Sequence, residues 1–134
     1  MKHLFLLGFV LMTLTSNMLC NAQASKNTQN TSNTKIEAYY FHNTSRCVTC
    51  KAVEAEAKAD LENLYGSQVV FKAFNLEEDA TNDIAKKLEI SGQTLLIVKG
   101  NQKIDLTNEG FMYARTNPAK FKSIIKAKVD KLIN

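Results

Sequence analysis

Ile36-Glu37-Ala38-Tyr39-Tyr40-Phe41, then His42-Asn43-Thr44-Ser45-Arg46, then Cys47-Val48-Thr49-Cys50-Lys51 is the stretch on which the fold turns. Its first six residues are aromatic and largely apolar, as a short buried strand is. An alanine-rich run from Lys51 to Leu64 follows, so two thiols sit where a strand hands over to a helix. With a helix beginning at about Cys47, the i, i+3 spacing puts both sulfurs on one face, within reach of a disulfide. Unpaired N–H groups at the helix N-terminus favour thiolate over thiol at Cys47, and Arg46 adds positive charge beside it. Cys50, Val53, Ala57, Leu61 and Leu64 form one helical stripe, which turns the second sulfur toward the core. An exposed thiol that attacks a partner disulfide and a shielded thiol that resolves the mixed disulfide is the division that thiol exchange needs.

The chain around this stretch has 134 residues, 45% hydrophobic and 22% charged, which is room for one ordinary globular domain. The formal charge is +4, but the lysines are dispersed or lie at helical spacing near the C-terminus. No basic cluster is interleaved with aromatics on a strand face, so nucleic-acid binding is not expected.

On the amino-terminal side, Met1-Lys2-His3 and the apolar run from Leu4 to Leu14 precede the small residues Cys20-Asn21-Ala22. Residues 1–22 are read as a secretory signal peptide, and the apolar run is too short to remain as an integral membrane span. A lipid anchor on Cys20 is the lesser reading, because Leu19 is not the small residue such a site wants. Residues 23–34 hold only small and polar side chains, too little apolar surface to offset ordering entropy, and are read as a disordered polar tether. The folded domain then spans 35–134 with two cysteines, and an export signal with one thiol pair points to a periplasmic or secreted, oxidising location.

On the carboxyl-terminal side, the helix is expected to stop near Tyr65-Gly66, where Gly66 can take a left-handed cap. Val69 to Phe74 reads as a second strand. Asp79 or Thr81 would cap a short helix carrying Ile84, Ala85 and Leu88 on one face. The apolar run Thr94 to Val98 reads as a strand covered on both faces, and Gly100-Asn101 turns it into an edge strand over Lys103 to Leu106. Asn117 and Pro118 open a last helix whose buried stripe is Phe121, Ile124, Ile125, Val129 and Leu132. Phe111, Met112 and Tyr113 precede that helix without any helical or strand period. The expected fold class is α/β, a mixed central sheet flanked by helices.

The thiol motif after a strand, and the Thr94-Leu95-Leu96-Ile97-Val98 run leading into a hairpin and a final helix, resemble the thioredoxin fold over residues 35–134. More narrowly, Tyr40-Phe41-His42 and Ala114-Arg115-Thr116-Asn117-Pro118 resemble the small exported thioredoxin-like proteins labelled ArsF-type, or nitrophenyl-compound nitroreductase subunits. The resemblance implies thiol-disulfide oxidoreduction or electron relay, with Cys47 as attacking thiolate, Cys50 as resolving thiol, and protein thiols or disulfides of an exported partner as the other half. It implies no cofactor. Three departures stand out. The cis-proline that faces the thiols in thioredoxins is replaced by Gln93, beside Thr94, and a cis bond before a non-proline costs about 3 kcal/mol, so Gly92-Gln93 is expected to be trans. The buried carboxylate on the strand before the thiols has no counterpart among Tyr39, Tyr40 and Phe41, which leaves His42 or water to assist Cys50. The usual tryptophan before the first cysteine is Arg46.

A bridge over so short a loop restrains the unfolded chain very little, so stabilisation alone does not account for the pair. A closed zinc site would need two further ligands, and His42 is the only histidine beyond the leader. The alternative from another class is capture of a soft ion, copper, mercury or arsenite, by the two thiolates with room left at Gln93.

Overall fold

The structure, a computed structural model, describes residues 35–134. The signal peptide and tether expected over 1–34 lie outside the described residues. Strand β1 (Ile36–His42) leads into helix α1 (Val48–Tyr65), a 3-10 turn and strand β2 (Val69–Asn75). A second 3-10 turn precedes helix α2 (Asn82–Leu88); strands β3 (Thr94–Lys99) and β4 (Gln102–Asp105) follow, then helices α3 (Thr107–Tyr113) and α4 (Pro118–Ile133).

The sheet order is β2-β1-β3-β4. The pair β1 and β2 is parallel, from Ile36 beside Val69 to His42 beside Asn75, while β1 with β3 and β3 with β4 are antiparallel. The parallel pair needs a crossover, and α1 supplies it. Strand alternation sends Ile36, Ala38 and Tyr40 to one face and Tyr39 and Phe41 to the other. The first set packs with Val53, Ala57 and Leu61 of α1 and Phe121, Ile125 and Val129 of α4. The second packs with Ala85 and Leu88 of α2 and Leu96 of β3. The sheet is therefore mixed and covered by helices on both faces, as the α/β reading requires.

Four details differ from the sequence reading. The short helix starts at Asn82 with Thr81 at the N-cap position, one of the two expected, but Thr81 makes no side-chain capping bond: Asp79–Thr81 form a 3-10 turn and Thr81 is buried at 2% exposure. The edge strand ends at Asp105, since Leu106 leaves the ladder and becomes fully buried. Phe111, Met112 and Tyr113 are not aperiodic: they belong to α3, a helix the sequence hid behind Gly110. A Cβ on Gly110 would lie 2.9 Å from Val53 Cγ1 and 3.5 Å from Phe121 Cζ, so only glycine lets α3 approach α1 this closely. Its propensity cost is offset by that packing. Gly66 ends α1 with a positive φ of 53°, as its place requires, but its ψ of −126° lies outside the left-handed helical cap that was expected.

Ionisable groups add a pH dependence on the alkaline side. Tyr39 donates to a Glu37 carboxylate oxygen at 2.6 Å and Tyr65 to Asp130 Oδ1 at 2.8 Å. Burial first, then these carboxylates, hold both phenols above the ordinary tyrosine range, and burial raises Tyr40 in the same direction. A raised folded value means that the stability they contribute is complete below the unfolded tyrosine value of 10.0 and drains away as pH rises above it. The urea midpoint is therefore expected to be lower at about pH 11 than at about pH 9, and equal midpoints would contradict these environments.

Candidate functional site

The loop between β1 and α1 is tied down before it reaches the first sulfur. His42 O accepts from Leu76 N at 2.7 Å, Thr44 N donates to a Glu77 carboxylate oxygen at 3.1 Å, and Asn75 Nδ2 donates to Thr44 Oγ1 at 2.8 Å. Asn75 Oδ1 also accepts from Glu77 N at 3.1 Å, closing the turn after β2 from which these contacts come. Cys47 consequently stands at the N-cap of α1 in extended conformation, and its Sγ accepts from Cys50 N at 3.1 Å. Sulfur thus occupies the place where a serine or aspartate oxygen would satisfy an orphan N–H.

Cys47 and Cys50 form a disulfide, their Cα atoms 5.1 Å apart. Cys47 is exposed and Cys50 is 4% exposed. The helical stripe predicted this asymmetry: Val53, Ala57 and Leu61 are buried in line with Cys50, while Leu64 is half-buried. Beside Cys47, Val48 is 70% exposed at the first turn of α1.

The other residues expected near the sulfurs fare differently. Gln93 is brought in: its Oε1 lies 3.6 Å from Cys50 Sγ. No described peptide bond is cis, so Gly92-Gln93 is trans as expected. Thr94 does not touch a sulfur in the hydrogen-bond network; its Oγ1 donates to Gly92 O at 2.9 Å and its backbone pairs with Phe41, which steadies the Gln93 loop. His42 lies beside Tyr40, ring centroids 6.0 Å apart, and makes a local contact. Its Nδ1 meets Asn43 O at 2.9 Å, which requires the proton on that nitrogen, and among the described residues no hydrogen bond joins the ring to either sulfur. Arg46 is not a free charge, because its guanidinium is paired with Glu54 one turn beyond Cys50, both side chains 26% exposed.

Two residues were missed. Tyr40, assigned only to the core, is fully buried beneath the thiol turn and donates its phenol hydrogen to Cys50 O at 2.9 Å. Burial raises it, against a partial opposing effect of Arg46, so the phenol stays a donor at neutral pH. The strand alternation that places Tyr40 with Ile36 and Ala38 toward α1 was the signal available for it. Glu54 was the second, and its i, i+4 relation to Cys50 was the signal. The buried carboxylate among the described residues, Asp60, belongs elsewhere: it faces Lys122 of α4 at 3.3 Å.

Glu54 pairs with Arg46, the residue before Cys47, and so offsets the charge expected to favour the Cys47 thiolate. In the reduced protein, Glu54→Gln is expected to speed alkylation of Cys47 by iodoacetamide near neutral pH by about two- to fivefold, the scale of a half-exposed ion pair. An unchanged rate would show that the guanidinium does not act on that sulfur.

A surface cavity of ≈ 510 Å³ lined by Lys35, Ile36, Ser67, Gln68, Lys99 and Ile133 lies at the start of β1, the end opposite the thiols. Among the described residues no group of three or more His, Cys, Asp or Glu side chains could hold a metal ion, and no helix is long and apolar enough to cross a membrane.

No family model matches the chain, and no curated protein does. Among solved structures, the chain is similar to oxidised thioredoxin O2 from Arabidopsis thaliana, at 20% identity and a TM-score of 0.50, over 70% of this chain and 75% of that one. A malarial protein matches at 20% identity and a TM-score of 0.41, over 52% of this chain and 74% of that one. The likeness to thioredoxin O2, together with the mixed four-stranded sheet and its flanking helices, shows a thioredoxin-like fold.

Proposed function

We propose that this chain is an exported thiol-disulfide oxidoreductase or electron-relay protein. The observation that carries the reading is the pairing of an exposed Cys47 at a helix N-cap with a buried Cys50, closed as a disulfide at the head of α1 in a thioredoxin-like fold. In the reducing direction, the Cys47 thiolate attacks one sulfur of a partner disulfide; a mixed disulfide forms and the partner's other sulfur leaves as thiolate. The Cys50 thiolate then attacks Cys47 Sγ, the internal disulfide forms, and the partner's second thiolate departs. Two electrons pass from the pair to the partner, and the reverse sequence oxidises a partner dithiol. The export signal expected from the sequence supports a periplasmic or secreted setting, where a disulfide persists. The narrower likeness to ArsF-type proteins adds no activity: Phe41 and Ala114 are buried for packing, Tyr40 supports the thiol turn through Cys50 O, and Asn117 caps α4 through Lys120 N at 3.1 Å.

Dithiothreitol-driven reduction of a protein disulfide such as insulin is expected to be faster with the chain present than without it. A rate no greater than that of dithiothreitol alone would overturn the reading.

A second reading rests on the placement of Gln93. Its amide oxygen beside Cys50 would add an oxygen donor to two thiolates facing copper, mercury or arsenite. Tight one-to-one binding to the reduced protein, lost in Cys47→Ser, with no insulin reduction, would favour capture over exchange.

A further inference from the structure

Resolution of a mixed disulfide requires Cys50 to lose a proton inside a half-closed site, and the groups around it are few. From β1, Tyr40 gives its hydrogen to the Cys50 carbonyl and keeps it. From α1 and the preceding loop, the Glu54 carboxylate is held by Arg46. His42 spends its Nδ1 hydrogen on Asn43 O. That leaves one polar side chain at the sulfur itself, Gln93 at 3.6 Å. The closed disulfide has no S–H, so this contact is a placement awaiting a hydrogen.

We propose, on the exchange reading above, that Gln93 is a catalytic residue: its carboxamide accepts a hydrogen bond from the Cys50 thiol in the reduced protein and donates one to the Cys50 thiolate formed during resolution. A neutral amide carries both an acceptor oxygen and two N–H donors, and rotation about its terminal bond exchanges them. A carboxylate could only accept and would oppose the thiolate. The proton goes to water, the Cys50 electron pair forms the bond to Cys47 Sγ, and the partner thiolate leaves. The loop suits this duty because Thr94 anchors it on both sides, through Gly92 O and through its pairing with Phe41.

The test uses the full chain carrying Cys20→Ser, reduced and mixed in a stopped flow with 5,5′-dithiobis(2-nitrobenzoate). The first equivalent of released thiolate reports attack by Cys47. The second, whose rate does not depend on reagent concentration, reports closure by Cys50. Gln93→Leu is expected to leave the first phase unchanged and slow the second by about 10- to 100-fold, the worth of a hydrogen bond to a charged group. Gln93→Glu is expected to slow the second phase and to give its pH profile a new dependence on the introduced carboxyl, because the carboxylate can accept from the thiol but cannot donate to the thiolate. A second phase within twofold of wild type in Gln93→Leu overturns the role of Gln93 while leaving the exchange reading intact. Release of only one equivalent by the unmodified pair overturns the exchange reading itself, and the role of Gln93 with it.

Discussion

Replacing Cys47 by serine is expected to abolish insulin reduction, and replacing Cys50 by serine is expected to leave a protein that accumulates covalent mixed disulfides with its partner. The two outcomes follow from burial and helix position. Cys47 is the sulfur that solvent and a partner can reach, and it stands where the N-terminal N–H groups of α1 stabilise a thiolate. A serine hydroxyl there remains a good N-cap, so the fold is retained while the nucleophile is lost. Cys50 is 4% exposed and cannot meet a bulky disulfide, so it enters only after Cys47 has been capped. Without it the intermediate has no internal exit. Trapped adducts are read on non-reducing gels after blocking free thiols, and their absence from Cys50→Ser would reverse or cancel the assignment of roles. Activity retained by Cys47→Ser would do the same.

Phe121→Ala costs about 3–5 kcal/mol of stability, the largest loss expected of a single core truncation in this domain. Phe121 is fully buried on α4, one turn inside the Asn117 cap, and its ring reaches the space over Gly110 where α3 meets Val53 of α1. Truncation would therefore open a void among three helices at once, one of which carries both thiols, and relaxation of that corner is restricted by the β-branched Val53. Urea denaturation of the oxidised variant measures the loss. A change below about 1 kcal/mol would mean that α3 and α4 do not pack on α1 in this way. If the variant still folds, its exchange rate is a second readout, because a loosened α1 would move Cys50 relative to Gln93.

The sequence showed most of what positions the site because its signals are local. Cys47 and Cys50 are three residues apart, the stripe through Val53, Ala57 and Leu61 is periodic, and Asn117-Pro118 marks a helix start by the chemistry of two adjacent residues. What it hid depends on contacts between distant segments. Gly110 argues against a helix until Val53 and Phe121 are seen to occupy the space a side chain would need. Arg46 reads as a free cation until Glu54 is seen to pair with it, and Tyr40 reads as core until its hydroxyl is found on the Cys50 carbonyl. Gln93 became a candidate through the thioredoxin resemblance alone, since forty-three positions separate it from the sulfur it touches. His42 was suggested by closeness in sequence, and its Nδ1 is found on the neighbouring Asn43 carbonyl.

The central claim is that Cys47 and Cys50 exchange electrons with a partner, and the reduction potential of the pair tests it most directly. The protein is equilibrated with graded glutathione or dithiothreitol buffers, free thiols are trapped, and the state of each cysteine is read by peptide mass. A reversible two-electron transition between about −270 and −120 mV, the span of catalytic pairs, is the expected result, and its position sets whether the chain reduces or oxidises its partner. A pair that stays oxidised below about −300 mV would be an inert bridge and would contradict the account, as would a pair that never closes.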